Sequence, residues 1–262
     1  MNILNEIALR TGGRINEKKK SMPLEKVKET AEQLMINQDF PFEKSLCKDD
    51  IAFICEIKKA SPSKGIIAED FPYMRIARDY EVAGAAAISV LTEPFYFKGD
   101  DRYLKEIAAI VSIPLLRKDF TVDEYMIYEA KVLGASAVLL ICSILDNDTL
   151  AEYIKIAHNL GLSALVETHD ENEVKAALDA GARIIGVNNR DLKTFEVDIG
   201  LSERLRPLVP EDKIFISESG IQAPADINKL REIKTNAALI GETLMRSSDK
   251  GLELKRLRGE LS

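Results

Sequence analysis

The chain has 262 residues, of which 46% are hydrophobic and 30% are charged, as expected for a globular protein with a full core. Its formal net charge of -7 disfavours nucleic-acid and membrane-surface binding, because both usually require a basic face. The length fits a single α/β barrel, which typically takes about 250 residues.

The three cysteines, Cys47, Cys55 and Cys142, are too few for a disulfide framework and lack the CxxC spacing of a zinc site. No segment approaches the roughly 18 apolar residues that cross a membrane. The first residues lack the apolar stretch of a signal peptide. We therefore expect a cytoplasmic protein whose cysteines are mostly small buried hydrophobic residues.

The first part of the chain differs from the rest. Helical spacing predicts helices over Ile3–Lys20 and Leu24–Met35, joined near Met22 and Pro23. We therefore predict that residues 1–50 form an N-terminal helical extension that caps or flanks the remaining residues 51–262, within one structural domain. A loosely attached arm is the alternative.

From residue 51 onward, short apolar runs alternate with amphipathic stretches that close on glycine, as in Ala83-Gly84-Ala85 and Ala180-Gly181-Ala182. This alternation predicts a parallel sheet, and about eight such units predict an α/β fold of the (β/α)8 TIM-barrel type. The alternative is an open doubly wound sheet, but no GxGxxG follows the first strand. The predicted strands are Ala52–Lys58, Ala86–Leu91, Pro114–Lys118, Ala137–Ile141, Ala164–Glu167, Ile184–Asn188, Ile214–Ser217 and Ala238–Ile240. The predicted helices between them are Tyr73–Ala83, Asp123–Leu133, Thr149–Leu160, Glu171–Ala180 and Pro224–Ile233.

Active sites of such barrels lie at the carboxyl ends of the strands, so polar residues at those ends are the candidates. On the first strand, side-chain alternation assigns Glu56 and Lys58 to the barrel interior and Cys55 to the helix-facing side. Burying either charge alone is costly, which favours a function for the pair. A structural ion pair in the core is the alternative. Ser61 supplies a hydroxyl in the following loop.

The third and fifth strands end in further charged residues. Lys118 shares a face with Leu116, and Glu167 shares a face with Leu165, so we predict that both charges point inward. A lysine beside other cations has a lowered pKa, which we expect for Lys118. The remaining polar residues are predicted to be structural: Arg117 and Asp119 as salt-bridge partners of a helix, His169 as a solvated loop residue, and His158 as part of a helix.

The last three strands carry candidate binding groups. Asn188 and Arg190 share a face of the sixth strand, and an amide with a guanidinium suits the binding of a carboxylate or phosphate. Small residues follow the seventh and eighth strands, where exposed backbone N–H groups favour a phosphate site. The candidates are Ser219, Gly220, Gly241 and, through its backbone only, Glu242. Ordinary turns are the alternative.

These residues occur in segments that, in this order, resemble the indole-3-glycerol phosphate synthases. The resemblance covers nearly the whole chain, and the extra helices before the first strand agree with it. The segments are EIKKASPSKG at Glu56–Gly65, LTEPFYFKGD at Leu91–Asp100, LLRKDF at Leu115–Phe120, LVETHD at Leu165–Asp170, GVNNRDL at Gly186–Leu192, SESGI at Ser217–Ile221 and IGETLM at Ile240–Met245.

The resemblance implies a carboxy-lyase of tryptophan biosynthesis that acts on a small phosphorylated substrate. That substrate is 1-(2-carboxyphenylamino)-1-deoxyribulose 5-phosphate. It implies Lys118 as general acid and Glu167 as general base, with Lys58 as second acid or carboxylate clamp. It implies no metal or organic cofactor. From the net charge we expect no nucleic-acid or membrane partner, and we expect a monomer or weak homo-oligomer.

The remaining candidates follow from the same resemblance. Glu56 would orient Lys58 or shuttle protons, and Asn188 would hydrogen-bond the substrate. Ser61 would contact the substrate carboxylate or a nearby water. Phe97 and Phe120 would form an apolar slot for the aromatic ring, with ordinary loop packing as the alternative.

Two other functions remain as alternatives. A phosphoribosylanthranilate isomerase would share the phosphate site but relies on a cysteine–aspartate pair, whereas Cys55 faces away from the predicted site. A non-catalytic phosphate-binding barrel would have no need for several buried charges of both signs.

Overall fold

The computed structural model describes residues 3–191 and 194–260. Within these residues, eight parallel strands form a closed barrel in which each strand pairs with the next one along the chain and the last pairs with the first, so the predicted (β/α)8 fold is confirmed. Each predicted strand end lies within one residue of the observed one. The strands are β1 (Ala52–Ile57), β2 (Ala87–Leu91), β3 (Leu115–Lys118), β4 (Ala137–Ile141), β5 (Ser163–Thr168), β6 (Ile184–Asn188), β7 (Ile214–Glu218) and β8 (Ala237–Ile240). Leu192, which ends the GVNNRDL segment, lies outside the described residues.

Helices surround the barrel, and the seven predicted ones agree with the structure within two residues at each end. The helices are α1 (Ile3–Ser21), α2 (Leu24–Gln33), α3 (Pro41–Leu46), α4 (Tyr73–Val82), α5 (Asp101–Ala108), α6 (Tyr125–Val132), α7 (Asn147–Asn159), α8 (Glu171–Asp179), α9 (Gly200–Leu205), α10 (Pro224–Glu232), α11 (Glu242–Arg246) and α12 (Lys250–Arg258). A two-stranded hairpin pairs Ala60–Ser61 with Gly65–Ile66 after β1. No helix in the described ranges is long and apolar enough to cross a membrane.

Five helices, α3, α5, α9, α11 and α12, were not predicted. All five are short, with at most nine residues, so each offers few turns in which helical spacing can be recognised. Helix α5 did carry a start signal. The Asp100 carboxylate accepts a hydrogen bond from the Arg102 N–H and caps the helix.

Strand alternation divides the core into two layers. Phe53, Cys55 and Ile57 of β1 pack in the layer between the strands and the helices. Ile54 of the same strand packs with Leu116 and residues of the other strands inside the barrel. Burial of each large side chain contributes roughly 1.5–3 kcal/mol to folding. The resulting close packing fixes the strand ends on which the polar residues sit.

Helices α1 and α3 contact the barrel through buried apolar side chains and ion pairs. Leu4 and Ile7 of α1 are buried against the barrel interior cluster. Arg14 of the same helix donates to both carboxylate oxygens of Asp119, at 2.9 and 2.8 Å. Helix α3 lies at the other end, where Glu43 accepts from Ser163 and Arg183 at the starts of β5 and β6. The N-terminal helices therefore cover both ends of the barrel.

Arg117 faces the helices, as predicted, and is fully buried. Its Nη2 donates to Asp101 at 2.6 Å and to Glu129 at 2.7 Å, and its Nη1 donates to the Met126 carbonyl. Lys18 of α1 pairs with the same two carboxylates. This ion-pair network joins α1, α5 and α6 behind β3, the strand that carries Lys118.

Candidate active site

A cavity of about 600 Å³ opens at the carboxyl ends of the strands. All the site residues predicted from the sequence line it, although they come from seven separate parts of the chain. They are Glu56, Lys58, Ser61, Phe97, Lys118, Phe120, Glu167, Asn188, Arg190, Ser219, Gly220, Gly241 and Glu242. The cavity is therefore the shared space that the strand alternation predicts.

Lys118 lies at the centre of a buried charge cluster. Its Nζ donates to Glu167 Oε2 at 3.0 Å and to Glu218 Oε2 at 2.7 Å. Burial opposes the charged ammonium, but the carboxylates of Glu167, Glu218 and Glu56 outweigh burial and raise the pKa of Lys118. The expected lowering of this pKa is wrong, because the neighbours of Lys118 are carboxylates and not cations. Lys118 is a firmly charged ammonium in the free protein.

Glu167 is the ionised member of this cluster. Burial would raise its pKa, but the charges of Lys118 and His169 outweigh burial and lower it. His169 is not the solvated loop residue that the sequence predicted. Its side chain is only 18% exposed and lies between Glu167 and Glu173. A carboxylate held ionised in this way can accept a proton.

Glu218 was not predicted, although it is almost completely buried at the end of β7. Burial and the neighbouring Glu167 raise its pKa to about 7, although Lys118 acts in the opposite direction. Its Oε1 is buried without a hydrogen-bond partner among the described residues. Alternation from Ile214 and Ile216 assigns it to the barrel interior, but the predicted strand ended one residue too early. Glu218 is therefore a second carboxyl group beside Lys118, and it titrates near neutral pH.

Glu56 and Lys58 form an ion pair on the inner face of β1, as the alternation predicts. The pair is not sealed in the core, because both side chains line the cavity. Gly241, after β8, allows this arrangement: a Cβ there would lie 2.2 Å from Glu56 Oε2 and 2.9 Å from Lys58 Nζ. The lack of a side chain at position 241 therefore makes room for the pair.

One side of the cavity is apolar. The rings of Phe97 and Phe120 line it with their centroids 6.1 Å apart. Glu93, which the sequence analysis did not select, organises the loop that carries Phe97. Its buried carboxylate accepts backbone N–H bonds from Phe95, Tyr96 and Phe97, at 2.7 to 3.0 Å. The wall also includes residues that the sequence did not indicate: Ile3, Leu4 and Ile7 of α1, with Leu139 and Ile141 of β4.

The opposite side is polar and begins at the end of β6. Asn188 Oδ1 accepts the Arg190 N–H at 3.1 Å, which ties the two predicted side chains to one turn. Ser219 and Gly220 both have positive φ angles, of 68° and 86°. The Asn189 amide donates to the Ser219 carbonyl at 3.1 Å and supports this turn. A left-handed serine is strained, and such strain is common at ligand-binding turns.

Among the described residues, three cations lie around the Glu242 side chain. Arg246 lies 3.0 Å from its carboxylate, Lys64 lies 3.8 Å away, and Arg190 lies 3.9 Å away. Lys64 and Arg246 were not predicted. Lys64 lies within the EIKKASPSKG segment, and Arg246 directly follows the IGETLM segment. One carboxylate cannot balance three cations, so this end of the cavity retains positive charge that suits an anionic group.

The fold is shared with other barrels of low sequence identity. A 3-hexulose-6-phosphate synthase superposes with a TM-score of 0.64 at 16% identity, over 81% of this chain and 100% of that chain. The tryptophan synthase alpha-subunit of Pyrococcus furiosus superposes with a TM-score of 0.61 at 15% identity, over 80% of this chain and 98% of that one. At these identities the likeness concerns the fold alone.

Sequence comparison is more specific. The family model for indole-3-glycerol phosphate synthase matches residues 4–257. Curated relatives named indole-3-glycerol phosphate synthase include one from Ruminiclostridium cellulolyticum, 62% identical over 98% of this chain and 99% of the relative. Another, from Lachnoclostridium phytofermentans, is 52% identical over 99% of this chain and 100% of the relative. The chain therefore belongs to the indole-3-glycerol phosphate synthase family.

Proposed function

We propose that the protein converts 1-(2-carboxyphenylamino)-1-deoxyribulose 5-phosphate into indole-3-glycerol phosphate, carbon dioxide and water. The observation that carries this proposal is the position of Lys118. Its ammonium lies between Glu167 and Glu218, in a cavity with aromatic side chains on one side and excess cations on the other. An apolar slot suits the aminobenzoate ring, and the cationic end suits the phosphate.

Ring closure comes first. The aromatic carbon that bears the carboxylate attacks the ketone carbon, and the carbonyl electron pair moves onto the oxygen. The Lys118 ammonium donates a proton to that oxygen, which is a far stronger base than an amine once the bond has formed. A positioned general acid typically contributes about 10²–10⁴ in rate. Because Lys118 is firmly charged, its electrostatic effect on the developing oxyanion adds to the proton transfer.

Decarboxylation and dehydration follow. When carbon dioxide leaves, the electron pair of the broken C–C bond returns to the ring. The hydroxyl then leaves as water while a base removes a proton from the new ring. Glu167 is the proposed base, because Lys118 and His169 keep it ionised. Asn188 would hydrogen-bond the substrate, and Ser61 would contact its carboxylate or a nearby water.

Lys58 has two possible tasks, and kinetics separates them. As the acid that protonates the leaving hydroxyl, it would act mainly on kcat. As a clamp on the substrate carboxylate, it would act mainly on KM. Glu56 holds Lys58 in either case, since the two form an ion pair beside Gly241. The variant Lys58→Met, measured for both constants, distinguishes the two tasks.

The proposed function is tested by giving the purified protein the carboxyphenylamino-deoxyribulose phosphate and following indole fluorescence. We expect turnover by the wild type and a loss of at least about 10³-fold in Lys118→Ala, with substrate binding retained. Lys105→Ala is the matched control, because Lys105 is an exposed lysine of α5 and does not line the cavity. Absence of product from the folded wild-type protein would exclude the proposed function.

A further inference from the structure

We propose that His169 is a positioning residue that, braced by Glu173, holds the Glu167 carboxylate in its working orientation. This inference rests on the proposed function, in which Glu167 is the base. It assigns a task to a residue and a helix that lie behind the cavity and are not in its lining.

A continuous chain of charged groups supports the proposal. His169 Nε2 lies 3.4 Å from Glu167 Oε1, and His169 Nδ1 lies 3.0 Å from Glu173 Oε2. The same Glu173 oxygen accepts the His169 backbone N–H at 2.8 Å, so Glu173 fixes both the backbone and the ring of His169. Glu173 is itself held in the first turn of α8, where its N–H donates to the capping Asp170.

The contact between His169 and Glu167 has ion-pair geometry and not hydrogen-bond geometry. His169 Nε2 is buried and makes no hydrogen bond in the described part of the chain, despite its 3.4 Å separation from Glu167 Oε1. A buried donor of this kind is costly unless a charge faces it. A small movement of the Glu167 carboxylate toward His169 would complete the bond.

The groups that face this pair come from several elements. Lys118 of β3 donates to Glu167 Oε2 and also to Glu218 of β7. The charge of Glu56 on β1 acts on both Lys118 and Glu218 at longer range. Around the ring of His169 lie Glu173 and the Ser143 hydroxyl, the latter 3.3 Å from Nδ1. The Cys142 thiol and Asp170 lie close by.

The two oxygens of Glu167 therefore have different anchors. Lys118, which lines the cavity, holds Oε2, and His169, which directly follows β5 and is not in the lining, faces Oε1. When Lys118 turns toward the substrate oxygen, it releases Oε2, and His169 becomes the remaining anchor. Burial disfavours the imidazolium, but Glu167 and Glu173 outweigh burial and raise the pKa of His169 to about 10. The anchor is therefore positively charged at neutral pH.

Two variants separate the contact with Glu167 from the contact with Glu173. His169→Gln keeps an N–H group near the position of Nε2, toward Glu167, whereas His169→Asn keeps one near Nδ1, toward Glu173. We expect kcat to fall about tenfold or more in His169→Asn and about threefold in His169→Gln, with KM changed less than about twofold. The acidic limb of the kcat–pH profile should move to higher pH in both variants, because loss of the cation raises the pKa of Glu167.

A residue that only supports the fold would behave differently. It would lower the melting temperature of both variants, leave the acidic limb in place and show no advantage of glutamine over asparagine. If the wild type makes the indole product, an unmoved acidic limb in the variants, or a kcat no higher in His169→Gln than in His169→Asn, would overturn the proposal for His169 alone. Failure of the wild type to make that product would instead reject the proposed function.

A titration that needs no activity completes the test. The chain has two histidines, so nitrogen NMR of the imidazoles gives two ring systems to follow. Burial and Arg183 lower the pKa of His158 to about 4, well away from that of His169. We expect Glu173→Gln and Glu167→Gln each to lower the pKa of His169. A His169 ring that titrates near 6.5 in the wild type, or that ignores both changes, would contradict the proposed chain of charges.

Discussion

Gly186 of β6 leaves the space that the Glu218 carboxyl group of β7 occupies. A Cβ at position 186 would lie 2.3 Å from Glu218 Oε1 and 2.8 Å from a methyl group of Leu165. Gly186 does not have a positive φ angle, so backbone conformation does not require a glycine at this position. The lack of a side chain at position 186 therefore leaves room for the Glu218 carboxyl group, whose other oxygen accepts a hydrogen bond from Lys118.

The first prediction concerns Gly186→Ala. We expect the new methyl group to push Glu218 away from Lys118, because the Leu165 side chain blocks the alternative movement. Overpacking of this kind costs about 1–3 kcal/mol of stability, and we expect kcat to fall at least about tenfold. Steady-state kinetics and denaturant unfolding measure the two effects.

Gly13→Ala is the matched control. Gly13 is exposed in α1, and beyond the backbone of that helix no described residue lies within 4 Å of the place that a Cβ would take. Alanine at this position should therefore be neutral or stabilise the protein by about 0.5–1 kcal/mol. Full activity of Gly186→Ala would show that the Glu218–Lys118 contact is dispensable.

The second prediction concerns Glu93→Gln. The buried carboxylate of Glu93 accepts hydrogen bonds from three backbone N–H groups. A glutamine has only one acceptor oxygen, and its NH₂ group would face at least one of these N–H donors without forming a hydrogen bond. We expect the loop that carries Phe97 to loosen, with a loss of about 1–3 kcal/mol of stability and a KM increased about tenfold. Because the acid and base are untouched, kcat should change much less than KM.

Asp146→Asn serves as the control for Glu93→Gln. Asp146 is an exposed carboxylate that caps α7 by accepting the Thr149 N–H, and it does not line the cavity, so its replacement makes the same change from carboxylate to amide at a contact that the asparagine oxygen can keep. It should cost at most about 1 kcal/mol and leave KM unchanged. An unchanged KM in Glu93→Gln would refute the link between this loop and substrate binding.

Strand alternation explains which site residues the sequence could predict. Glu56, Lys118 and Glu167 sit on strands with apolar residues on the same face, so a local pattern shows where each side chain points. Glu218 obeys the same rule and was missed only because the strand was ended at Ser217. The interior positions of a barrel are therefore readable one strand at a time.

Contacts between distant segments could not be predicted in this way. Arg14 and Asp119 are 105 residues apart, and nothing in either segment specifies the other. The role of His169 also depends on where Glu173, four residues further along the chain, lies in space relative to Glu167. The wall that α1 contributes and the sign of the pKa shift of Lys118 both depend on such contacts, so they emerge only from the fold.

The third prediction uses the Arg14–Asp119 contact. In Arg14→Leu, the buried Asp119 carboxylate keeps Thr92, the Phe120 N–H and a longer contact with Arg117 at 3.8 Å, but it loses its closer cation. We expect a loss of about 2–4 kcal/mol, because removing the closer partner leaves a buried charge that the more distant Arg117 compensates only in part. Since α1 also lines the cavity, KM should rise. Urea unfolding and steady-state kinetics provide the two readouts.

Lys20→Ala, on the same helix, is the control for Arg14→Leu. Lys20 pairs with Glu17 at the surface, and exposed pairs three residues apart contribute about 0.5 kcal/mol or less. Equal stability losses in the two variants would mean that Arg14 acts only through general helix stability and not through Asp119.

The fourth prediction concerns the pH dependence of stability. Burial and Glu167 raise the pKa of Glu218 from 4.5 to about 7, so between these pH values the folded protein holds a proton that the unfolded chain has released. The stability that the protonated Glu218 contributes is therefore complete below pH 4.5 and is lost as the pH rises through about 7. In Glu218→Gln this loss disappears. Relative to wild type, the variant should gain on the order of 2–3 kcal/mol between pH 5 and pH 8.

Thermal unfolding at several pH values checks this prediction. The neighbouring Glu167 has a lowered pKa, so it stays ionised from pH 5 to pH 8 and adds no slope of its own. The raised pKa of His169 does add a slope above pH 6.5, but that slope is common to both chains and cancels in their difference. Glu211→Gln is the control, because Lys234 lowers the pKa of this surface carboxylate and its effect should stay constant over the same range. A wild-type-minus-variant difference for Glu218→Gln that is equally constant would mean that Glu218 is already ionised at pH 5, and that Lys118 faces two full negative charges throughout.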